Sequence, residues 1–203
     1  MARKTVIVTG LIGSGKSAVC ALLRERGIPV YDSDARTKGL YRRRPSLVGE
    51  LETALGLPLR LGDGSLDRKA LASAIFASDA ARETVEALVY PQVLQDFKRW
   101  RARQKGARFV VLESAVILQK PLFDGLAQAV VLVTAPESLR LQRVMQRDGL
   151  PEDAVRARMA SQHVPMEKVT LFLANEGTPE SLSQAVEQVF FDENSYLCKI
   201  LNK

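Results

Sequence analysis

The run Gly10-Leu-Ile12-Gly13-Ser14-Gly15-Lys16-Ser17 constrains this chain more than any other stretch. Before it lies Val6-Ile-Val-Thr9, a short β-branched strand; after it, Lys16 to Arg26 puts Val19, Leu22 and Leu23 at helical spacing until Gly27 stops the pattern. Strand, glycine loop and helix, ending in Gly-Lys-Ser, make up the Walker A arrangement in its structural context. Glycines let consecutive backbone N–H groups wrap the β-phosphate of ATP, and the helix N-terminus adds a favourable dipole. Lys16 reaches the β and γ oxygens and Ser17 offers its hydroxyl to Mg²⁺. Gly10, Ile12, Gly13, Ser14, Gly15, Lys16 and Ser17 are thus expected to hold the phosphates. A dinucleotide-binding loop would need G-x-G-x-x-G, which is absent, and would give the Lys-Ser pair no purpose.

The rest of the chain alternates in the same way. Pro29-Val30-Tyr31 reads as a second strand delivering Asp32-Ser33-Asp34, and Ala35 to Leu40 resumes a helical pattern. From Pro45 to Ser78 short helices are expected, with a turn at Gly62-Asp63-Gly64 and a helix from Leu66 to Phe76. Pro91 is expected to open a helix with Val93, Leu94, Phe97 and Trp100 on its apolar stripe. Phe109 to Leu112, with an apolar continuation to Leu118, and Ala129 to Val133 are continuous apolar runs of the kind buried on both faces of a parallel sheet. Glu137 to Arg147 and Glu152 to Gln162 read as helices joined through Asp148-Gly149-Leu150-Pro151, Thr170 to Leu173 as a last strand, and Glu180 to Phe190 as a helix; the tail after Asp192 gives no signal. The pattern predicts an α/β fold, a doubly wound parallel sheet of the P-loop NTPase type. One domain, residues 1–203, would carry a helical insertion at about 36–105 and a helical lid at about 137–163.

Phosphoryl transfer also needs a group to orient the acceptor hydroxyl or take its proton, and cations for charge on the transferring group. Asp34 and Asp32 both stand where ligands gather in open α/β sheets, outside the carboxyl end of a strand; a helix N-cap is the structural use of either. Arg140, Arg143 and Arg147 share one helical face, as i, i+3 and i+7, and the Asp148-Gly149 break suits a mobile lid. Such arginines neutralise transition-state charge or form a solvated stripe. Arg158 and Gln162 on the second lid helix meet either substrate or solvent.

In these residues the chain resembles the dephospho-CoA kinases, P-loop enzymes that phosphorylate the ribose 3′-hydroxyl of dephospho-CoA with ATP to give coenzyme A. The likeness runs to about Gly177. It lies in the phosphate loop followed by Gly27-Ile-Pro-Val-Tyr-Asp-Ser-Asp34-Ala35, in Leu66-Asp-Arg68-Lys-Ala-Leu71, in Gln142-Arg143-Val-Met-Gln-Arg147-Asp148 with Arg158 to Gln162, and in Ala174-Asn175-Glu-Gly177. The resemblance implies Asp34 as general base, with Lys16 and Arg143 acting on the transferring group. It places Arg147 and Asn175 with the phosphate loop on ATP, and Asp34, Arg68, Arg158 and Gln162 at the acceptor. Mg²⁺ on Ser17 and ATP as co-substrate come with it. Two positions depart from the family pattern: Tyr90-Pro91 stands where the family shows His-Pro, and Ala115-Val-Ile-Leu-Gln119 where it shows Pro-Leu-Leu-x-Glu. Glu113, following Phe109 to Leu112 in a Walker-B-like way, is a candidate to replace the carboxylate lost at Gln119.

Charge and composition set limits. The net charge of +6 suits anionic small substrates as well as nucleic acid, but no aromatic interleaving supports single-strand stacking, so no nucleic-acid partner is expected. No window approaches the ~18 consecutive apolar residues of a spanning helix. The start, Met1-Ala-Arg-Lys-Thr5, leaves no room for a leader's apolar region, which predicts a cytoplasmic protein; no membrane partner is expected, and the chain is taken as a monomer or a weak homo-oligomer. Cys20 and Cys198 are expected as reduced thiols, and no His-Cys cluster suggests zinc. Two other functions fit the same loop: a kinase of nucleoside monophosphates or another small metabolite, and, in another class, a nucleotide-dependent switch or binding module. The latter lacks Asn-Lys-x-Asp and paired switch segments.

Overall fold

Continuous apolar runs leave strands nowhere to go but the middle of a layered sheet. The computed structural model describes residues 3–202; Met1 and Ala2, which open the run read against a leader, lie outside them. Its sheet has five strands, β1 (Lys4–Thr9), β2 (Val30–Asp32), β3 (Phe109–Glu113), β4 (Ala129–Thr134) and β5 (Leu171–Ala174), in the order β2-β3-β1-β4-β5. All pairings are parallel, with Val8 opposite Glu113 and Val6 opposite Ala129. Every residue of β3 is buried. From β1 the sheet extends one way through β3 to β2 and the other way through β4 to β5. The order reverses at β1, so the phosphate loop leaves the sheet at the switch point where α/β folds bind ligands.

In chain order the helices are α1 (Lys16–Glu25), α2 (Ser33–Arg43), α3 (Pro45–Leu55), α4 (Arg68–Ala77), α5 (Asp79–Ala102), α6 (Glu137–Asp148), α7 (Glu152–Ala160), α8 (Pro179–Phe190) and α9 (Tyr196–Asn202). Two compact units result: Ser33–Trp100, and the remaining described residues, which hold the sheet. In the sheet unit, Val19, Cys20 and Leu23 of α1, Leu182, Val186 and Phe190 of α8 and Leu197 and Leu201 of α9 share one core with Val6, Val8, Val111 and Val131. Phe109 and Phe190 stack within it at 6.3 Å between ring centroids. In the helical unit, α2 packs on α3, and Asp67 caps α4 by accepting from the Lys69 and Ala70 N–H groups at 2.9 and 3.0 Å. No helix among the described residues is long and apolar enough to cross a membrane.

The structure corrects several sequence expectations. Pro91 does not open a helix; it sits inside α5, a single helix of 24 residues. An interior proline costs about 3 kcal/mol or more. Val85, Val89, Val93 and Phe97 are all buried at i, i+4 spacing across it, and at about 1.5–3 kcal/mol per buried side chain they outweigh that cost. The continuation of β3 to Leu118 is not strand: after Glu113 the chain turns through Ser114, whose hydroxyl accepts from Val116 and Ile117 N–H, into a 3-10 turn at Ile117–Gln119. The tail that gave no signal forms α9, with Leu197, Cys198 and Leu201 buried. Helix begins at Ser33, directly after β2, so Asp32 ends the strand while Asp34 and Ala35 belong to the first turn of α2.

Candidate active site

At the end of β1 the chain has to turn back on itself into α1 within a few residues, and this requires glycine. Gly13 and Gly15 adopt φ of 78° and 90°, in the left-handed region. A Cβ on Gly13 would stand 2.5 Å from the Arg140 carbonyl oxygen, and one on Gly15 1.9 Å from Asn175 Nδ2, so neighbouring elements also approach too closely for a side chain. Gly15 caps α1 with no side-chain acceptor, and the first turn carries no acidic residue. The helix start is thus left to an external anion. Ser14 Oγ is buried with no hydrogen-bond partner among the described residues, an orphan of the kind a bound polar group would satisfy.

Below the loop, Glu113 at the end of β3 gathers the cationic and hydroxyl groups of α1. It is 3% exposed. Oε1 accepts from Lys16 Nζ at 3.0 Å and Ser17 Oγ at 2.8 Å, and Oε2 from Arg24 Nη2 at 3.3 Å. Burial pushes the Glu113 carboxyl up, but the Lys16 charge and hydrogen bonds from Lys16, Ser17 and Cys20 outweigh it and hold the group below its ordinary range. Burial, followed by the charge of Glu113, pushes the Cys20 thiol far up, so it stays protonated. Glu113 is a hard oxygen donor beside the Ser17 hydroxyl, a pair suited to Mg²⁺, which takes few protein ligands and completes its shell with phosphate and water.

Helix α6 and the segments after α7 and β5 meet the loop largely through its backbone groups. Arg143 of α6 donates from Nη1 to the carbonyls of Gly13 (3.4 Å) and Asn175 (3.2 Å), and from Nη2 to Asn175 Oδ1 (3.4 Å). Asn175, just past β5 and 5% exposed, donates from Nδ2 to the Ser14 carbonyl at 2.8 Å. Gln162, beyond α7, accepts from the Ile12 N–H at 2.6 Å. Lys16, Ser17, Arg143, Gln162 and Asn175 therefore converge on the loop. Arg147 and Arg158 do not: both are mostly exposed and donate to Asp148, Arg147 at 2.7 and 3.0 Å and Arg158 at 3.5 Å. Gln119 donates from its amide to the His163 carbonyl, tying the turn after β3 to the segment after α7; an ionised Glu has no such proton to give.

The helical unit holds the remaining expected residues. Asp34 lies in the first turn of α2, accepting from Ser33 Oγ at 3.5 Å. Burial, then the charges of Glu86, Asp34 and Tyr41, pushes Tyr90 up to about 12. Arg68 opens α4 and lines a cavity of about 770 Å³ together with Lys38, Tyr41, Arg42 and Lys69, four cations in all against the carboxylates of Asp63 and Asp67. Sequence reasoning passed over Arg24; its signal was the i, i+4, i+8 spacing of Lys16, Cys20 and Arg24 along α1.

Comparison with known proteins agrees with the geometry. The family model described as dephospho-CoA kinase matches residues 4–178. A Porphyromonas gingivalis protein named dephospho-CoA kinase is 40% identical over 158 residues, covering 78% of this chain and 77% of its own. One of that name from Anaeromyxobacter dehalogenans is 33% identical over 194 residues, covering 93% and 92%. A crystal structure of a Thermus thermophilus protein superposes with a TM-score of 0.78 at 35% identity, over 92% of this chain and 96% of that one.

Proposed function

Because the chain belongs to the dephospho-CoA kinase family and is a phosphotransferase of that kind, we propose that it transfers the γ-phosphoryl group of ATP to the ribose 3′-hydroxyl of dephospho-CoA, giving coenzyme A and ADP. The observation that carries this reading is the phosphate loop seated on Glu113, with Lys16 and Ser17 both drawn to one carboxylate oxygen. Lys16 moves onto the β and γ oxygens when nucleotide binds, and the loop N–H groups hold the β-phosphate. Ser17, with Glu113 beside it, would hold Mg²⁺, and the metal would supply neutralisation of phosphate charge. Arg143 stabilises charge on the group in transfer, and Asn175 keeps the loop and the arginine in register.

Asp34 takes the proton from the acceptor hydroxyl, and the attacking oxygen then forms its bond to phosphorus as the bond to the β-γ bridging oxygen breaks. The cation-rich cavity beside Arg68 suits the diphosphate of the acceptor, which arginine and lysine pair with in different geometries. Arg158 and Gln162 complete acceptor binding and Arg147 that of ATP, the two arginines being released from Asp148 as the lid closes. A cytoplasmic monomer or weak homo-oligomer, acting on small molecules alone, suits this reaction.

ADP release from Mg-ATP, followed with dephospho-CoA, AMP, CMP and water as parallel acceptors, tests the proposal. Turnover confined to dephospho-CoA, with a product that has gained one phosphate, is expected. Preference for a monophosphate, or hydrolysis without any acceptor, would overturn it. Asp34→Asn is expected to lower turnover by ~10² to 10⁴ while ATP still binds, and near wild-type turnover would remove Asp34 from the role of base.

A further inference from the structure

Glu113 creates a difficulty for nucleotide binding. Its carboxylate is almost wholly buried, and Lys16 is one of its two cationic partners. When a nucleotide draws Lys16 onto phosphate oxygens, Glu113 loses that partner. Where no metal ion takes its place, a buried carboxylate that loses a cation is costly, because water does not reach it to make up the loss.

Arg24 is placed to prevent this. Lys16, Cys20 and Arg24 lie at i, i+4 and i+8 on α1, along one face of the helix. The guanidinium reaches Oε2, the oxygen that neither Lys16 nor Ser17 uses, at 3.3 Å. Its side chain is 43% exposed, against 16% for Lys16, and it lies about two turns further along α1 from the loop. Nothing about this contact requires Lys16 to be present, and guanidinium is charged at every working pH.

We propose that Arg24 is a positioning residue that acts through Glu113: it stays on Oε2 as the standing counter-ion of the buried carboxylate, which frees Lys16 to exchange Glu113 for the nucleotide phosphates. The inference rests on the nucleotide-binding reading of the phosphate loop and not on the identity of the acceptor.

ATP affinity measured by calorimetry in EDTA, so that no metal contributes, tests it. Wild-type protein must bind ATP; if it does not, the nucleotide-binding reading falls first and takes this inference with it. Arg24→Gln keeps much of the side chain's reach and loses its charge. It is expected to weaken ATP binding about tenfold, a modest figure because the arginine is half exposed. Arg24→Lys, which restores a cation, is expected within about threefold of wild type. The decisive comparison is in an Glu113→Gln background, where no buried charge needs a counter-ion: there Arg24→Gln is expected to change ATP affinity by less than about twofold. Thermal melts of each variant separate loss of binding from loss of fold, and a misfolded Arg24→Gln leaves Arg24→Met to carry the same comparison. An ATP affinity unchanged by loss of the charge overturns the proposal, and so does a loss that persists undiminished beside Gln at position 113, since a merely structural arginine would behave that way.

Discussion

Replacing Gly15 by alanine separates two reasons for glycine in the loop, because Gly27 offers a matched control. Both residues have positive φ, 90° and 77°, but a Cβ on Gly27 meets nothing within 4 Å, whereas one on Gly15 lands 1.9 Å from Asn175 Nδ2. The left-handed conformation costs alanine about 1–2 kcal/mol. Reduced freedom in the unfolded chain returns about 0.4–1 kcal/mol. Gly27→Ala should therefore destabilise by about 1 kcal/mol. Gly15→Ala pays the same and also drives the Asn175 amide off the Ser14 carbonyl, leaving a buried polar group unpaired at about 1–3 kcal/mol, for a total of about 3 kcal/mol.

For a chain of this length each kcal/mol moves the melting temperature by about 2–4 °C, so the expected losses are about 2–4 °C for Gly27→Ala and about 6–12 °C for Gly15→Ala. Far-UV melts give these shifts, and ATP titration adds a second readout: Gly27→Ala should bind as wild type, and Gly15→Ala at least about tenfold more weakly because the displaced loop no longer aims its N–H groups. If the two variants melted within about 2 °C of each other and bound ATP equally, the packing of Asn175 on the loop would not be what excludes a side chain at Gly15.

Three further outcomes are expected. Arg143→Ala, which removes a side chain holding the Gly13 and Asn175 carbonyls, should lower kcat by about 10² to 10³, read by ADP release; a change in KM alone would make it a binding group only. Glu113 has a folded pKa below the ordinary 4.5, so its contribution to stability is present above that value and fades as pH falls through the lower folded pKa; melting temperature against pH should be flatter on the acid side for Glu113→Gln than for wild type. Cys20 and Cys198 are both buried and unbridged, so alkylation at mildly alkaline pH should be slow in the native protein and fast in urea, with two thiols titrating.

What the sequence made legible was local. The β-branched Val6 to Thr9, the glycines behind it and the apolar spacing of α1 each carry their own signal within a few residues, and the fold, the loop and the place of Lys16 and Ser17 followed from them. What it hid depends on distant partners. Pro91 looked like a helix start because a proline's local cost is visible in the sequence, while the burial that offsets it is not. The segment at α9 reads as nothing by itself, and becomes a helix because Leu197 and Leu201 complete the core formed by α1 and α8. Glu113 was legible as a Walker-B-like residue at the end of an apolar strand, but its partners were not: the sheet register sets it opposite Val8, where Lys16, Ser17 and Arg24 reach it.

Helix α6 shows the same division at the scale of a single element. Arg143 and Arg147 are one turn apart on α6, and spacing alone gives them one role. Their partners differ. Arg143 is held by carbonyl groups, which are neutral and lose little when a phosphate competes for the guanidinium. Arg147 is held by the carboxylate of Asp148 in a paired contact, with Arg158 on the same carboxylate. Neutral acceptors make Arg143 available to a bound nucleotide without first breaking an ion pair, whereas Arg147 and Arg158 have to leave a charge to reach one. Because that charge is exposed and screened, leaving it costs little. One arginine is thus docked on the loop through neutral carbonyls, while Arg147 and Arg158 are kept at the surface by a weak pairing on Asp148, so that equal spacing along a helix leaves them in different electrostatic states.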